Sequence, residues 1–369
     1  MSHLRRIAVL LLISLTAAYG LAVAPARAAG AEAIKAADYI VSTFEATGDK
    51  RFGDVGSAAD SVLALAATGD AKYADDIAAI TTFLQSSAPA YVKPDSAGAS
   101  GAAKLAIVAA AVKAEPTSFG GVDLLATVTD GVGADGAFGA FPGPFSSGLA
   151  MVALARNGRA VPDSMVDYLL RYAEPRSGTT GGGFGCATYP FKADGDCPAA
   201  DPDSTAMAVL GLRASGSAKA TQAVTDALAW LQGTQQADGS WQNYSPVNST
   251  GLVGPLFPAG SEQATKAAAY VSSKQLSSGA LTTGVDTKAD LIATQQGIFA
   301  LTGTTYATIA AGQPSPSASA SATRSPSASP SAEPGPATPS GQDPLVGWTT
   351  AALLVVVLAG FAVARRRAS

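Results

Sequence analysis

A helical hairpin recurs along this chain, and a repeat of nearly fixed length constrains the architecture more strongly than local helix propensity does. Each repeat holds a candidate inner helix preceded by a candidate outer helix, and inner-helix starts are spaced by about 40 to 47 residues except for one longer interval. The predicted inner-helix starts are Asp60, Ala99, Ser146, Asp203, Asn248 and Thr294. The predicted outer helices cover residues 36–44, 76–85, 122–128, 164–173, 223–232 and 262–272. Six such pairs predict an all-α domain.

The fourth hairpin carries two specific motifs. Its first helix starts at Asp201-Pro202-Asp203-Ser204-Thr205-Ala206, and the hairpin closes on Gln236-Ala237-Asp238-Gly239-Ser240-Trp241. Together they resemble the repeat of the terpene cyclases, in which a Gln…Asp-Gly-Ser-Trp signature ties helices together and an Asp-x-Asp-Asp-Thr-Ala helix start holds the catalytic acid. The resemblance implies a six-hairpin α/α toroid over roughly residues 30 to 310, with Gln236 and Trp241 as structural ties.

Asp203 occupies the position of the catalytic acid in that resemblance, although Ser204 replaces the third aspartate of the motif. Three interpretations stay open: Asp203 caps the start of a helix, contacts a ligand, or protonates an isoprenoid alkene. Aspartate is among the residues that cap helices best, and the cap and ligand roles are compatible.

The two ends of the chain predict export and a membrane anchor. Residues 1–28 have the arginines, apolar run and small residues of a signal peptide, which would leave residues 29–312 as the exported domain. Residues 313–343 are almost entirely Ser, Pro, Ala and Gly, which predicts a disordered stalk. An apolar run then predicts a transmembrane helix over 344–364, followed by a basic cytoplasmic tail over 365–369.

Composition excludes several chemistries. The single histidine, His3, lies in the predicted signal peptide, so imidazole bases and histidine metal ligands are not expected in the exported domain. No metal site and no cofactor are predicted, which argues against the zinc-dependent prenyltransferases and lanthionine cyclases that share the toroid. Cys186 and Cys197 are the only cysteines, and in an exported protein they predict a disulfide. The exported part of the chain, residues 29–343 with the stalk included, has 18 basic against 28 acidic residues, a balance that disfavours nucleic acid.

In a closed toroid the inner helices run alike, so their N-terminal ends meet at one mouth. This predicts a polar ligand site that comprises Asp60, Ser147, Asp203, Thr205, Asn248, Thr250, Gln295 and Gln296. As a single exported toroid the chain is similar to the helical domain of the transcobalamin and intrinsic factor family, which implies cobalamin or another neutral, amide-rich ligand. That family covers its ligand with a second domain, so a separate covering protein or a membrane transporter is an expected partner.

Two other functions stay open from the sequence. One is a terpene cyclase-like enzyme that acts on an isoprenoid with Asp203 as its acid. The other is a surface protein-interaction domain. Separately, Phe138, Phe141 and Phe145 lie in a loop rich in glycine and proline and form a candidate exposed apolar lip, because a loop has less core to offer them.

Overall fold

The computed structural model describes residues 30–46, 54–93, 98–191 and 199–312. This part of the chain is helical, and it contains isolated β-bridges but no strands, so the all-α prediction is confirmed for it. The predicted signal peptide, stalk, membrane helix and tail lie outside the described residues. Within the described ranges, no helix has both the length and the apolar character that a bilayer crossing requires.

Twelve α-helices alternate between two layers within these ranges. The outer helices are α1 (Ala31–Ala46), α3 (Ala74–Tyr91), α5 (Leu124–Asp130), α7 (Asp163–Leu170), α9 (Thr221–Thr234) and α11 (Glu262–Ser273). The inner helices are α2 (Val55–Ala67), α4 (Gly98–Val112), α6 (Pro144–Arg156), α8 (Pro202–Ser215), α10 (Pro246–Val253) and α12 (Leu291–Thr302).

The inner helices form a closed ring. Each one contacts the next inner helix in the sequence, and α12 contacts α2. The burial of side chains explains this division into layers. In α3 the buried side chains Ile77, Ile80, Leu84 and Ala88 follow helical spacing, which gives one apolar face towards the ring. Helix α2 instead buries ten of its thirteen residues, as expected for a helix enclosed by neighbours.

The predicted outer segments all overlap outer helices. Two inner helices, α2 and α12, begin several residues before their predicted starts. Helix α2 begins five residues before Asp60, because the carboxylate of Asp54 accepts the Ser57 N–H and caps it. Helix α12 likewise begins before Thr294, and Asp290 caps it. Of the three interpretations left open for Asp203, the helix cap is the one that the structure contradicts. Asp201 is the cap and accepts the Ser204 N–H at 2.8 Å, since Pro202 suits the first helical position.

In three repeats a glycine turn packs closely against the next outer helix. Gly136, Gly239 and Gly279 follow α5, α9 and α11 and have φ between +87° and +94°. A Cβ on them would lie 2.0–2.4 Å from a backbone carbonyl oxygen in α7, α11 or α1 respectively. Only glycine permits both this φ and this approach. The contact of Gly279 with α1 closes the outer layer.

The Gln236…Trp241 signature has its predicted structural role at Trp241 but not at Gln236. Trp241 is fully buried, donates from Nε1 to the Leu231 carbonyl at 2.7 Å and stacks on Phe257. The side-chain amide that joins this turn to the next outer helix, however, belongs to Gln235 and not to Gln236. Gln235 Nε2 donates to the carbonyls of Gly239 and Gln263, both at 3.0 Å, whereas exposed Gln236 donates only to its neighbour Thr234.

Gln275 repeats the role of Gln235 at the point where the ring closes. Its Nε2 donates to the carbonyls of Gly279 at 3.0 Å and Glu32 at 2.8 Å, and so joins the last turn to α1. We expect Gln275→Ala to lower the free energy of unfolding by about 1–3 kcal/mol, because two carbonyls lose their donor. Gln236→Ala is the matched control and should change it by less than about 0.5 kcal/mol. Urea titrations followed by tryptophan fluorescence measure both, and equal losses would contradict the assignment.

The last described segment crosses the C-terminal ends of the inner helices. The Arg156 guanidinium at the end of α6 donates to the carbonyls of Tyr306 and Ile309, and the Ala311 N–H donates to Ala111 at the end of α4. Tyr306 and Ile309 are buried there. A cation at a helix C-terminus is favourable, and burial lowers the pKa of Arg156 to about 10. This segment therefore covers the end of the ring opposite to the helix N-termini.

Candidate functional site

The N-terminal ends of the inner helices lie at one end of the ring, which we call the mouth. Neighbouring inner helices meet at corresponding turns, so they run parallel. Gln295 in the second turn of α12 bonds Ser57 and Ser61 in the first two turns of α2, and a Cβ on Gly148 of α6 would meet Met207 of α8. The mouth thus gathers backbone N–H groups, helix dipoles and the capping carboxylates.

A cavity of about 300 Å³ opens at the mouth between α2, α4 and α12. Its lining residues are Asp54, Gly56, Ser57, Asp60, Lys104, Asp290, Leu291 and Ile292. This volume is at the small end of the range for small-molecule sites, roughly 300–1,000 Å³. Of the predicted site residues, Asp60 lines the cavity and Gln295 lies directly beside it.

Asp60 and Lys104 form an ion pair in the cavity wall. Both carboxylate oxygens accept from Lys104 Nζ at 2.8 Å, and the two side chains are only 15% and 13% exposed. Burial raises the pKa of Asp60, and the charge and hydrogen bonds of Lys104 act in the opposite direction. The pair leaves little net charge, so the capping carboxylates of Asp54 and Asp290 make the cavity wall acidic overall.

The adjacent residues Gln295 and Gln296 differ in what they can offer a ligand. Gln295 is 1% exposed, and its Nε2 is committed to Ser61 Oγ at 2.7 Å and to the Ser57 carbonyl at 3.0 Å. Its Oε1 is buried without a hydrogen-bond partner among the described residues. Gln296 is half-buried, so part of this residue is open to solvent.

Asp203 lies at the mouth in the first turn of α8, close to the start of α10. Its Oδ2 accepts from Asn243 Nδ2 at 2.8 Å, while Oδ1 and the nearby Ser249 Oγ are both buried without a well-formed hydrogen bond. Burial raises the pKa of Asp203 to about 7, and the charge of Asp201 adds to this, while Ser249 and Asn243 lower it. The carboxyl is therefore poised to hold a proton near neutral pH.

Thr205 and Thr250 are structural, which corrects their predicted ligand role. Both are fully buried. Thr205 Oγ1 accepts the Phe184 N–H at 2.9 Å, and Thr250 Oγ1 accepts the Trp241 N–H at 3.1 Å. Thr294 accepts the Leu281 N–H in the same way. Each threonine thus ties a glycine-turn loop to the following inner helix, and its hydroxyl is not available to a ligand.

The last two predicted site residues, Ser147 and Asn248, differ in how deeply they are buried. Ser147 is fully buried and its Oγ has no partner in the described ranges, so a ligand at the mouth does not reach it directly. Asn248 is half-buried, and its Oδ1 accepts from Ser245 Oγ. Asn248, Gln296, Asp60 and the partly exposed Asp203 are therefore the predicted residues that a bound molecule could contact.

Below the mouth the ring is filled. Four consecutive positions on each of four inner helices have 0% exposure: residues 62–65, 105–108, 150–153 and 206–209. Because successive residues are about 100° apart around a helix, these positions cover the whole circumference of each helix. Along these stretches, α2, α4, α6 and α8 border no space that a water molecule could enter.

Cys186 is disulfide-bonded. Its predicted partner, Cys197, lies outside the described residues, so the pairing of the two stays a prediction. In the described ranges no group of three or more His, Cys, Asp or Glu side chains could hold a metal ion.

Sequence reasoning missed Lys104, the capping residues Asp54 and Asp290, and the exposed apolar side chains of Tyr189 and Val285. Aspartate is a preferred helix cap, and the carboxylates of Asp54 and Asp290 accept the backbone N–H groups of Ser57 and Ala293, three residues further on. The predicted lip holds only for Phe141, which is 64% exposed, since Phe138 is fully buried and Phe145 is half-buried.

No protein-family model matches this chain, and no curated protein is significantly similar to it.

Proposed function

We propose that this chain is an exported, membrane-anchored α/α toroid that binds a neutral, polar ligand at its mouth. The observation that carries this proposal is the parallel arrangement of the inner helices, which brings their N-termini to one end beside a cavity of about 300 Å³. The opposite end is crossed by the segment that contains Tyr306 and Ile309. The mouth is thus the end of the ring with a cavity and reachable polar groups.

The groups at the mouth favour a ligand that both donates and accepts hydrogen bonds. Helix N-terminal dipoles and Lys104 favour acceptor oxygens, while Asp54 and Asp290 accept from ligand donors and disfavour free anions. The amides of Asn248 and Gln296 can serve either function. Ligand amides and hydroxyls meet these requirements, whereas a diphosphate does not.

Cobalamin is the first ligand to test, because its corrin ring carries several neutral amides. A corrinoid is larger than the cavity, so it would rest across the mouth with side amides that reach the wall. Such a ligand would stay partly exposed. This favours a partner that covers it or receives it, either a separate protein or a membrane transporter.

Calorimetric titration of cyanocobalamin into the full-length protein tests this proposal. We expect measurable binding, and we expect Gln296→Leu to weaken it by about 1–3 kcal/mol because a ligand amide loses its partner. Gln236→Leu, on an exposed turn, is the matched control and should bind as the wild type does. Absence of corrinoid binding, or equal affinity in both variants, would contradict the proposal.

A terpene cyclase-like activity is the second candidate, and Asp203 is the observation in its favour. A buried carboxyl whose pKa is raised to about 7 still carries a proton near neutral pH, which a proton donor requires, although protonation of an alkene needs a more acidic group. The filled ring argues against it, because residues 62–65, 105–108, 150–153 and 206–209 leave no space for an isoprenoid beside them. Incubation with squalene and shorter isoprenoid alkenes tests it. Turnover that Asp203→Asn abolishes would favour the enzyme over the binding module.

A further inference from the structure

The Lys104–Asp60 ion pair is uncommon for helices that are buried as deeply as the inner ring. In the described inner helices, Lys104 is the one basic residue that does not lie in a last helical turn. Both side chains are largely buried, at 13% and 15% exposure. Apolar side chains of the same volume are often as stable as a buried ion pair, because desolvation of the charges offsets their attraction. Stability of the ring alone therefore does not account for the pair.

The pair lies at the floor of the cavity, the end farthest from the helix starts. Asp54 caps α2, and Asp60 follows six residues later, which is about 9 Å further along a helix. Side chains on a helix lean towards its N-terminus, so the Asp60 carboxylate and the Lys104 ammonium are directed back towards the mouth. Both residues line the cavity. A group that reaches the pair must therefore stand on a narrow arm and not on the body of a large ligand.

The pair keeps hydrogen-bonding capacity that the protein itself does not use. Lys104 Nζ has three N–H groups, and the two Asp60 oxygens, both at 2.8 Å, take at most two of them. No other residue in the described ranges accepts from the third. Each carboxylate oxygen of Asp60 can also accept a second hydrogen bond. The floor thus presents a spare donor and a spare acceptor side by side.

This arrangement discriminates between the polar groups that a ligand can present. A carboxylate or phosphate would be repelled by Asp60 and Asp54, and an ammonium or guanidinium offers no acceptor to Lys104. A hydroxyl must make both bonds through one oxygen, which bends them away from the linear geometry that hydrogen bonds prefer. A primary carboxamide has its donor and its acceptor on separate atoms, as the pair has, so both bonds can be straight.

We propose that the Lys104–Asp60 pair recognises a primary carboxamide at the end of a narrow arm of the ligand. The carbonyl oxygen accepts from Lys104 Nζ, and the amide nitrogen donates to the Asp60 carboxylate. This inference rests on the proposed function, because it specifies which part of a neutral, polar ligand enters the cavity and which residues select it.

Four small probes with the same carbon chain test which group the cavity selects: butanamide, N,N-dimethylbutanamide, butanol and butanoate. Ligand-observed NMR titrations with the full-length protein in nonionic detergent give their dissociation constants. We expect butanamide to bind about tenfold more tightly than each of the others, because only butanamide satisfies both members of the pair with straight hydrogen bonds. Equal binding of butanamide and N,N-dimethylbutanamide, which keeps the acceptor but has no donor, would overturn the proposal. Absence of butanamide binding would overturn it as well.

A double variant assigns this preference to the pair. Asp60→Leu with Lys104→Met replaces both charges by apolar side chains of similar volume, which proteins often tolerate. The matched control is Asp167→Leu with Lys219→Met, since Lys219 Nζ also bonds both oxygens of Asp167 but that pair is about half exposed, away from the cavity. We expect the first double variant to lose the preference for butanamide and the control to keep it. A preference that survives in the first double variant would overturn the proposal.

Cyanocobalamin titrations of the same variants separate this inference from the proposed function. Equal affinity in the wild type and in Asp60→Leu with Lys104→Met, together with weaker binding in Gln296→Leu, would overturn the role of the pair and leave binding at the mouth intact. Selective binding of butanamide without any binding of cyanocobalamin would instead remove the corrinoid and support the amide-selective cavity.

Discussion

Gly279→Ala is expected to lower the free energy of unfolding by about 2–5 kcal/mol, which combines the cost of positive φ with that of a forced contact. Gly279 has φ +89°, and an alanine Cβ would lie 2.2 Å from the carbonyl oxygen of Lys35. The chain must therefore withdraw from α1 at the place where the two ends of the ring meet. Chemical denaturation followed by circular dichroism measures the loss.

Gly260→Ala is the matched control for this variant. Gly260 has φ +82°, almost the same backbone conformation, but a Cβ there would meet nothing within 4 Å. Its substitution should cost only the conformational strain of about 1–2 kcal/mol. The difference between the two variants isolates the close approach to α1. If both lose the same stability, the closure of the outer layer through Gly279 is contradicted.

Asp203→Asn should remove a pH dependence of stability that the wild type shows. Burial raises the folded-state pKa of Asp203 to about 7, whereas in the unfolded chain it is about 3.9. The folded state therefore binds the proton more tightly, and this contribution to stability is full below pH 4 and is lost as the pH rises through 7. Asparagine mimics the neutral carboxyl, since it can still accept from Asn243 and can donate towards Ser249.

At pH 8 we accordingly expect Asp203→Asn to be more stable than the wild type by about 2–4 kcal/mol, and at pH 5 by only about 1–1.5 kcal/mol, because most of the range between the two pKa values lies above pH 5. Urea unfolding at pH 5, 6.5 and 8 measures the two proteins side by side. Comparing them cancels the contribution of Asp60, whose pKa burial also raises, whereas the charge of Asp201 acts on Asp203 and is part of the difference measured. If the wild type instead gains stability relative to the variant between pH 5 and 8, the raised pKa of buried Asp203 is contradicted.

Much of the fold could be predicted from the sequence because the repeat itself is a long-range signal. The outer segments were found, since one apolar face per helix leaves a clear period, as Ile77, Ile80 and Leu84 illustrate. Inner-helix starts were harder to place. Helices buried all round, such as α2, lack that period, so only the caps Asp54 and Asp290 mark where they begin.

The site was less predictable, because it depends on the direction in which each side chain points. Thr205 and Thr250 belong to polar helix starts, but both are committed to loop backbone N–H groups. Lys104 lies in the interior of α4 and reaches the cavity only because α2 places Asp60 beside it. Gln235 and Gln236 are adjacent in sequence, and the geometry of the turn decides which one ties the helices.

Native mass spectrometry of the full-length protein with corrinoids, neutral oligosaccharides and isoprenoid alkenes tests most directly whether the mouth is a binding site for neutral, polar ligands. Wild type, Gln296→Leu and Gln236→Leu would be measured together. The result expected is a one-to-one corrinoid complex that persists in Gln236→Leu and is depleted in Gln296→Leu. A complex with an isoprenoid alone, or a corrinoid complex unaffected by Gln296→Leu, would contradict a polar binding site at the mouth.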